Sequence, residues 1–217
     1  MVVRISVAGA TSRAGKTALA VTLIQSLPPR VAVAIKFTTA EDVFKRCPRG
    51  SPCVVCDIDV PFRIIENPAI LREPGTDTER LSRAGAARVV WTIAKQTAVA
   101  AAWTATLERA ASAPALVMEG STIVPWADPD LLLFVAHPFL KVERWKPTSA
   151  SLLARADAVI VNRASTERRP PDPAVIEALA RHRGHAEIEV ADVTRPLGEW
   201  SPRTAARMMA LAGQAVA

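Results

Sequence analysis

Continuous apolar runs alternate with segments of helical spacing along this chain, and that alternation constrains its fold more than any other feature. The runs are Val2 to Ala8, Val31 to Phe37, Ala115 to Gly120, Asp130 to Ala136 and Asp157 to Asn162, and a sixth strand is predicted at Ala186 to Val193. Apolar runs without polar alternation are typical of strands that are buried on both faces, as in a parallel sheet. The sequence therefore predicts an α/β fold of three layers, in which helices flank a mainly parallel central sheet.

Segments with helical patterns separate these runs, and one longer stretch fits neither pattern. The predicted helices are Lys16 to Leu27, Thr78 to Ala113, Ser149 to Ala156, Ala174 to His182 and the tail from Pro202. The stretch from Thr38 to Asp77 holds all three cysteines and five prolines, and it is predicted to be irregular. No internal repeat and no long linker divides the chain, so one domain is predicted over residues 1 to 217.

Composition and charge exclude several classes of protein. Half of the residues are hydrophobic, yet no apolar run approaches the roughly 20 residues that span a bilayer, so a cytoplasmic protein without membrane contact is expected. The net charge of +6 suits anionic partners in general. The positive residues are scattered apart from one cluster between Arg163 and Arg169, and aromatic residues make up only 5% of the chain. Nucleic acid is therefore not the expected partner, because a basic stripe with interleaved aromatic residues is lacking.

A glycine-containing stretch, GATSRAGKTALA, joins the first predicted strand to the first predicted helix. In the phosphate-binding pattern G-x-x-x-x-G-K-[ST], backbone N–H groups surround a β-phosphate, the lysine neutralises the β/γ charge, and the hydroxyl reaches Mg²⁺. Gly15, Lys16 and Thr17 supply the second half of that pattern. Ala10 stands where the first glycine belongs, and Gly9 comes one residue early. Because a strand precedes the stretch and a helix follows it, we predict a phosphate-binding loop rather than an ordinary turn.

The predicted nucleotide contacts follow from that loop. They are Ala10, Thr11, Ser12, Arg13, Ala14, Gly15, Lys16, Thr17 and Ala18. An alanine at position 10 is compatible with the loop as long as its backbone does not adopt a positive φ.

Several segments together resemble the P-loop family of the molybdopterin-guanine dinucleotide biosynthesis adaptor protein, MobB. That family opens with a strand, a P-loop and a helix, has a strand ending in Ile-Lys, then a P-G-x-D-[ST] segment followed by A-G-A, and a strand ending in Glu-Gly. The matching segments are VRISVAGATSRAGKTALA, Ile35 with Lys36, EPGTDTERLSRAGAARVV and VMEG, which together span about residues 2 to 120. The resemblance implies a P-loop nucleotide-binding fold, and it implies a short strand at Arg88 to Thr92 in place of helix.

The end of the fifth predicted strand, VNRAS, bears on which base is bound. Its Asn162 matches the asparagine of the guanine-binding pattern N-K-x-D, whereas Arg163 replaces the lysine and no aspartate follows. A strand-ending asparagine without that aspartate also resembles the dethiobiotin synthetase type of P-loop protein, which uses ATP. ATP is therefore favoured, GTP is the alternative, and Asn162 and Arg163 are the predicted base contacts. A plain loop-start role for Asn162 is an equally open interpretation.

Catalytic and metal-binding roles are predicted for polar side chains at strand ends and in the loops beside them. Lys16, Lys36 and Glu119 are the catalytic candidates, because lysines can neutralise phosphate charge and a carboxylate can hold Mg²⁺ or orient water. The predicted Mg²⁺ ligands are Thr17, Glu119 and Asp59, the last chosen among Asp57, Asp59 and Asp77. A partly exposed strand terminus for Glu119 and a solvated side chain for Lys36 are the alternatives.

The three cysteines fall within ten residues, at Cys47, Cys53 and Cys56. The C-x2-C half of this spacing can chelate one metal ion, so zinc or an iron–sulfur cluster is one interpretation. A redox pair and inert thiols are the others. A structural disulfide framework is not expected, because the number of cysteines is odd and the compartment is reducing.

Two functions of different classes remain open at this stage. The leading hypothesis is an enzyme, a Mg²⁺-dependent ATPase or a nucleotide-driven transferase of the MobB-like type, whose cysteine segment meets a second substrate or partner. The alternative is a non-catalytic adaptor that uses a nucleotide as a switch, or that delivers a metal cofactor to a cofactor-biosynthesis enzyme or metalloenzyme. A homodimer is compatible with this kind of protein and stays an open alternative to a monomer, and a second subunit would offer the cysteines a further ligand.

Overall fold

The computed structural model describes residues 2–40 and 58–216. The strands are β1 (Val3–Gly9), β2 (Ala32–Thr39), β3 (Phe62–Ile65), β4 (Arg88–Ala94), β5 (Ala115–Glu119), β6 (Leu131–Ala136), β7 (Ala158–Asn162) and β8 (Glu187–Ala191). The α-helices are α1 (Lys16–Gln25), α2 (Pro68–Leu71), α3 (Asp77–Arg83), α4 (Val99–Ala110), α5 (Val124–Ala127), α6 (Ser149–Arg155), α7 (Pro173–His182), α8 (Leu197–Trp200) and α9 (Pro202–Val216). None of the helices within these ranges has the length and apolar character that crossing a membrane requires.

All eight of these strands belong to one sheet, in the order β3-β4-β2-β5-β1-β6-β7-β8. Every pair is parallel except β3 with β4. Strands β5 and β6 are buried at every residue, as their uninterrupted apolar sequences predict. The predicted α/β fold with a mainly parallel sheet is confirmed.

Helices cover both faces of the sheet. Leu19 and Leu23 of α1 pack with Met208 of α9 against one face, where they form one apolar cluster with β1 and β6. Trp103 of α4 and Leu153 of α6 belong to two further clusters that contain the alternate residues of the strands. Successive side chains of a strand point to opposite faces, so a three-layer structure follows directly from the apolar runs.

The prediction of one helical region from Thr78 to Ala113 is wrong. This stretch contains α3, β4 and α4, with Gly85 in the left-handed region at φ 101° before the strand. Strand β4 is buried from Val89 to Ala94, between β2 and β3. Its β-branched residues suit a covered strand, and the flanking alanines conceal that signal. The strand that the MobB resemblance implies at Arg88 to Thr92 is confirmed, and it continues to Ala94.

The stretch predicted to be irregular, Thr38 to Asp77, contains regular elements in its described part. Strand β2 continues to Thr39, and β3 and α2 follow after residue 57. Strand β3 is a short antiparallel edge strand in which only Ile65 is buried, so it lacks the apolar run on which strand prediction depends. The cysteines Cys47, Cys53 and Cys56 lie outside the described residues.

Candidate functional site

The loop between β1 and α1 lies at the carboxyl edge of the parallel strands, beside the ends of β5 and β6. Arg13 and Gly15 adopt the left-handed conformation there, with φ 64° and 107°. Gly15 supports this backbone at little cost because it has no Cβ. Ala10 is not among the residues with positive φ and is fully buried. The loop therefore tolerates alanine at the position where the phosphate-binding pattern has glycine.

Gly9 is the glycine that the loop needs at its start. A Cβ on Gly9 would lie 2.9 Å from Lys16 Cγ and 2.9 Å from the carbonyl oxygen of Val135. Its absence lets the side chain of Lys16 fold back over the loop, where Nζ donates to the carbonyl oxygen of Thr11 at 2.7 Å. Close packing therefore explains why this chain has its first glycine at position 9, one residue before the position of the first glycine in the phosphate-binding pattern.

Neighbouring strands hold the loop in place. The backbone N–H of Gly9 donates to Ser121 Oγ at 3.0 Å, and that of Ala10 donates to the Val135 carbonyl at 3.1 Å. The Ala10 carbonyl accepts from the backbone N–H of Lys146 at 2.9 Å. Sequence reasoning missed Ser121 and Lys146; the signal for Ser121 was its place directly after the Glu-Gly strand end.

Asn162 contacts the loop. Its Nδ2 donates to the Ala14 carbonyl at 3.2 Å, and its Oδ1 accepts from the backbone N–H of Val193 at 3.4 Å. A Cβ on Gly15 would lie 2.1 Å from Asn162 Nδ2, so glycine at position 15 and asparagine at position 162 fit one another. Arg163 follows, with its guanidinium on the carbonyl of Arg169 at 3.4 Å. Base contact by Asn162 and Arg163 stays a prediction.

Lys16 is a partly buried cation whose own surroundings do not favour its charge. Its pKa is lowered to about 8: burial is the largest cause, Glu119 and Asp77 oppose it, and the nearby Lys146 and Lys36 act in the same direction as burial. An ammonium group in this position gains from an arriving anion, because a negative charge close by restores the stability of the charged form.

The register of the parallel strands brings Lys36 next to Glu119, beside the loop. Lys36 of β2 and Val7 of β1 both pair with Glu119, the last residue of β5. Thr17, in the first turn of α1, reaches the same carboxylate and donates from Oγ1 to Glu119 Oε2 at 2.9 Å. Glu119 is 5% exposed. The structure therefore brings together the predicted residues Thr17, Lys36 and Glu119.

Asp77 joins this group from the start of α3. The turn before the helix contains Gly75 at φ 78°, and Thr76 caps the helix by accepting from the backbone N–H of Glu79 at 3.3 Å. This capped turn presents Asp77 to Lys36, whose Nζ lies 2.7 Å from Asp77 Oδ2 and 3.2 Å from each carboxylate oxygen of Glu119. The P-G-T-D-T segment thus supplies a carboxylate to the site.

The charges of Lys36 and the two carboxylates stabilise one another. Burial alone would lower the pKa of Lys36, but Glu119 and Asp77 outweigh it and raise that pKa. Burial alone would raise the pKa of Asp77, but Lys36 and hydrogen bonds from Lys36 and Thr17 outweigh it and lower that pKa. Lys36 and Asp77 therefore carry their charge at neutral pH.

The oxygens of Thr17, Glu119 and Asp77 are the chemical type that Mg²⁺ prefers. Asp59, the aspartate chosen from the sequence, has a side chain that is 91% exposed, and its carboxylate lies 4.0 Å from Arg63. Within residues 2–40 and 58–216, no group of three or more His, Cys, Asp or Glu side chains is arranged to hold a metal ion. A Mg²⁺ site with two carboxylates and a hydroxyl must then take its remaining ligands from phosphate or water.

Comparison with known proteins finds a likeness of fold. The structure resembles the septum site-determining protein MinD from Pyrococcus horikoshii OT3, complexed with Mg-ADP. The two chains share 13% identity with a TM-score of 0.43, over 99% of this chain and 95% of that chain. No protein-family model matches the sequence, and no curated protein matches it. The resemblance to the MobB family stays a prediction.

Proposed function

We propose that this chain binds a purine nucleoside triphosphate with Mg²⁺ at the loop Gly9 to Thr17 and hydrolyses it or drives a transfer reaction with it. The observation that carries the proposal is Lys16, a partly buried ammonium group folded over a glycine-containing loop between a strand and a helix. Its pKa is lowered to about 8, with burial as the main cause, and an anion bound beside it would stabilise the charged form.

The start of α1 adds to this case. Lys16 begins the helix, Gly15 caps it in the left-handed conformation, and the first turn contains no acidic residue. A helix N-terminus carries partial positive charge and unpaired N–H groups, so it attracts phosphate. Lys16, the helix and the loop backbone together favour an anion of several negative charges, as in a di- or triphosphate.

A role in Mg²⁺ chemistry is proposed for Thr17, Glu119 and Asp77. Their oxygens fit the ion, and Asp77 replaces Asp59 as the third candidate because it contacts Lys36 and Thr17. Bound Mg²⁺ would supply charge neutralisation between the β- and γ-phosphates. Lys36 would add its ammonium group on the same side, and Glu119 would hold or orient the attacking water.

The finer assignments extend the same proposal. ATP is the favoured nucleotide and GTP the alternative, and the enzyme is a MobB-like ATPase or transferase that forms a homodimer. The segment with Cys47, Cys53 and Cys56 meets the second substrate or a cofactor-biosynthesis partner, with zinc or an iron–sulfur cluster as its candidate ligand. Metal analysis of the purified chain tests that cluster directly, since inert thiols would carry no stoichiometric metal.

Turnover separates the enzyme from the alternative, a nucleotide-switched adaptor. Phosphate release is measured from ATP and from GTP, with and without Mg²⁺, in the wild-type chain and in Lys16→Ala. Mg²⁺-dependent release that is lost in Lys16→Ala and retained in Lys95→Ala supports the enzyme. Binding of nucleotide without any turnover supports the adaptor. Measurable release that is equal in both variants and the wild type would refute the assignment of the loop.

A further inference from the structure

The side chains that would hold Mg²⁺ already surround a cation, the ammonium group of Lys36. Its nitrogen lies 2.7 Å from Asp77 and 3.2 Å from both oxygens of Glu119. Thr17 completes the group, because its hydroxyl donates to Glu119 and lies close enough to Asp77 to help lower the pKa of that carboxylate. The Lys36 side chain is only 16% exposed, and that of Glu119 is 6% exposed. A charged lysine therefore occupies the space among the oxygens on which divalent cation binding depends.

Positive side chains already match or exceed the carboxylates of this group. The carboxylates of Asp77 and Glu119 face the ammonium groups of Lys36 and Lys16, and Lys146 and Arg80 lie close enough to act on Lys16 and on Asp77. A free divalent cation would add two positive charges beside the largely buried Lys36 and Glu119 and the Asp77 side chain, which is 44% exposed, and uncompensated buried charge is costly. The same cation arriving with nucleotide phosphates brings compensating negative charge, so the balance favours joint entry over entry of the metal alone.

Lysine is suited to an exchange of this kind. Its ammonium group is a point charge on a flexible four-carbon stem, so it can move without a change in the backbone. Strand β2 fixes the Cα of Lys36 by its register with β4 and β5, and the side chain alone has to rearrange.

We propose that Lys36 is an internal counter-ion that keeps free divalent cations out of the site and withdraws from Asp77 and Glu119 when a metal ion enters together with phosphate. The second half of this statement rests on the proposed nucleotide function, whereas the exclusion of free metal does not. Lys36 is a positioning residue in this account: it sets the order in which ligands bind and carries its charge toward the incoming phosphates.

The test measures binding of Mn²⁺ alone to the nucleotide-free chain at neutral pH, by electron paramagnetic resonance. The wild type binds Mn²⁺ weakly, and Lys36→Met binds it at least roughly tenfold more tightly because two carboxylates lose their counter-ion. Lys36→Arg keeps the positive charge and stays near the wild type. Adding Asp77→Asn to Lys36→Met removes the gain. Lys95→Met, the same change at the end of the neighbouring strand β4, leaves Mn²⁺ binding unchanged.

Thermal unfolding of the same samples shows whether each variant is folded and whether Mn²⁺ stabilises it. Mn²⁺ raises the unfolding temperature of Lys36→Met and leaves those of the wild type and Lys95→Met unchanged. The proposal is overturned by tight Mn²⁺ binding to the nucleotide-free wild type, or by a Lys36→Met variant that shows neither tighter binding nor thermal stabilisation. A separate titration of the wild type with Mn²⁺ and ADP measures whether the nucleotide binds. If ADP does not bind, the proposed function is refuted. The exclusion of free metal is judged only from the titrations without nucleotide.

Discussion

Lys16 and Lys36 reach the same edge of the sheet, yet they lie in opposite surroundings. Lys16 donates to a loop carbonyl, and burial lowers its pKa to about 8. Lys36 donates to Asp77 and Glu119, which raise its pKa. The first lysine destabilises the ligand-free protein and gains when an anion arrives. The second stabilises the ligand-free protein and has to give up contacts when a metal ion arrives. In the proposed function one side of the site receives phosphate, whereas the carboxylates on the other side already have a counter-ion in Lys36.

The largest expected effect is the loss of nucleotide affinity when the positive charge of Lys16 is removed. Lys16→Met is expected to weaken MgADP binding by roughly a hundredfold or more, because a charge-assisted contact to phosphate is lost. Binding of a fluorescent ADP analogue measures the change. Lys95→Met is the matched control and should bind as the wild type does. Unchanged affinity in Lys16→Met would place the nucleotide elsewhere.

The second effect concerns stability. Lys36→Met is expected to lower the free energy of unfolding of the protein without nucleotide by about 3 kcal/mol, because it removes the ammonium group that contacts both Asp77 and Glu119. Urea denaturation at neutral pH measures it. A stability equal to that of the wild type would mean that the two carboxylates do not depend on Lys36.

A third change tests the loop backbone between the two lysines. Gly15→Ala is expected to cost about 2 kcal/mol in stability, because φ 107° disfavours a side chain and the new Cβ meets Asn162. Gly213→Ala is the control, since a Cβ there meets nothing within 4 Å in α9. It should stabilise the helix by about 0.5–1 kcal/mol. Equal effects of the two substitutions would refute the strained loop.

Lys16→Met should act on stability with the opposite sign to Lys36→Met. The folded-state pKa of Lys16, about 8, lies below its ordinary value of 10.5, so burying the charge costs stability at every pH below about 8. Removing the charge is expected to raise the free energy of unfolding at pH 7 by about 1–2 kcal/mol, after loss of the bond to Thr11 is subtracted. The gain disappears as pH rises from 8 toward 10.5. A loss of stability at pH 7 would contradict this account.

The smallest effect is the pH dependence of binding. Phosphate binds the charged form of Lys16 and raises its pKa, so binding takes up a proton at pH values above about 8. Affinity is expected to fall by up to about tenfold per pH unit there, and to be flat with respect to this group below pH 7. Calorimetry in buffers of different ionisation enthalpy counts the proton. If no proton is taken up on binding at pH 9, Lys16 is already charged at that pH before the phosphate binds, which contradicts the lowered pKa.

Sequence patterns predicted much of this site because its residues stand at strand ends. Lys36 and Glu119 each follow a long apolar run, and parallel strands bring their carboxyl ends to one edge. The sequence does not separate Asp77 from Asp59, because both fall in the stretch between β2 and β4, whose path the apolar pattern does not determine. The capped turn at Thr76, seen only in the structure, is what directs Asp77 to Lys36.

The errors in the fold have equally specific causes. The sequence around β4 predicts helix because alanines flank its short β-branched core, and alanine favours helix when neighbours across the sheet are unknown. Strand β3 has a single buried residue and depends on pairing with β4. Local pattern thus identified the strands that carry long apolar runs and missed those that depend on long-range pairing.

The most direct test of the phosphate loop is a calorimetric titration of the wild-type chain with ATP, GTP and ADP in the presence of Mg²⁺ at pH 7. The account predicts saturable uptake of one nucleotide per chain, with ATP favoured over GTP, and loss of that uptake in Lys16→Met while the variant remains folded. Absence of binding by every purine di- and triphosphate would contradict it.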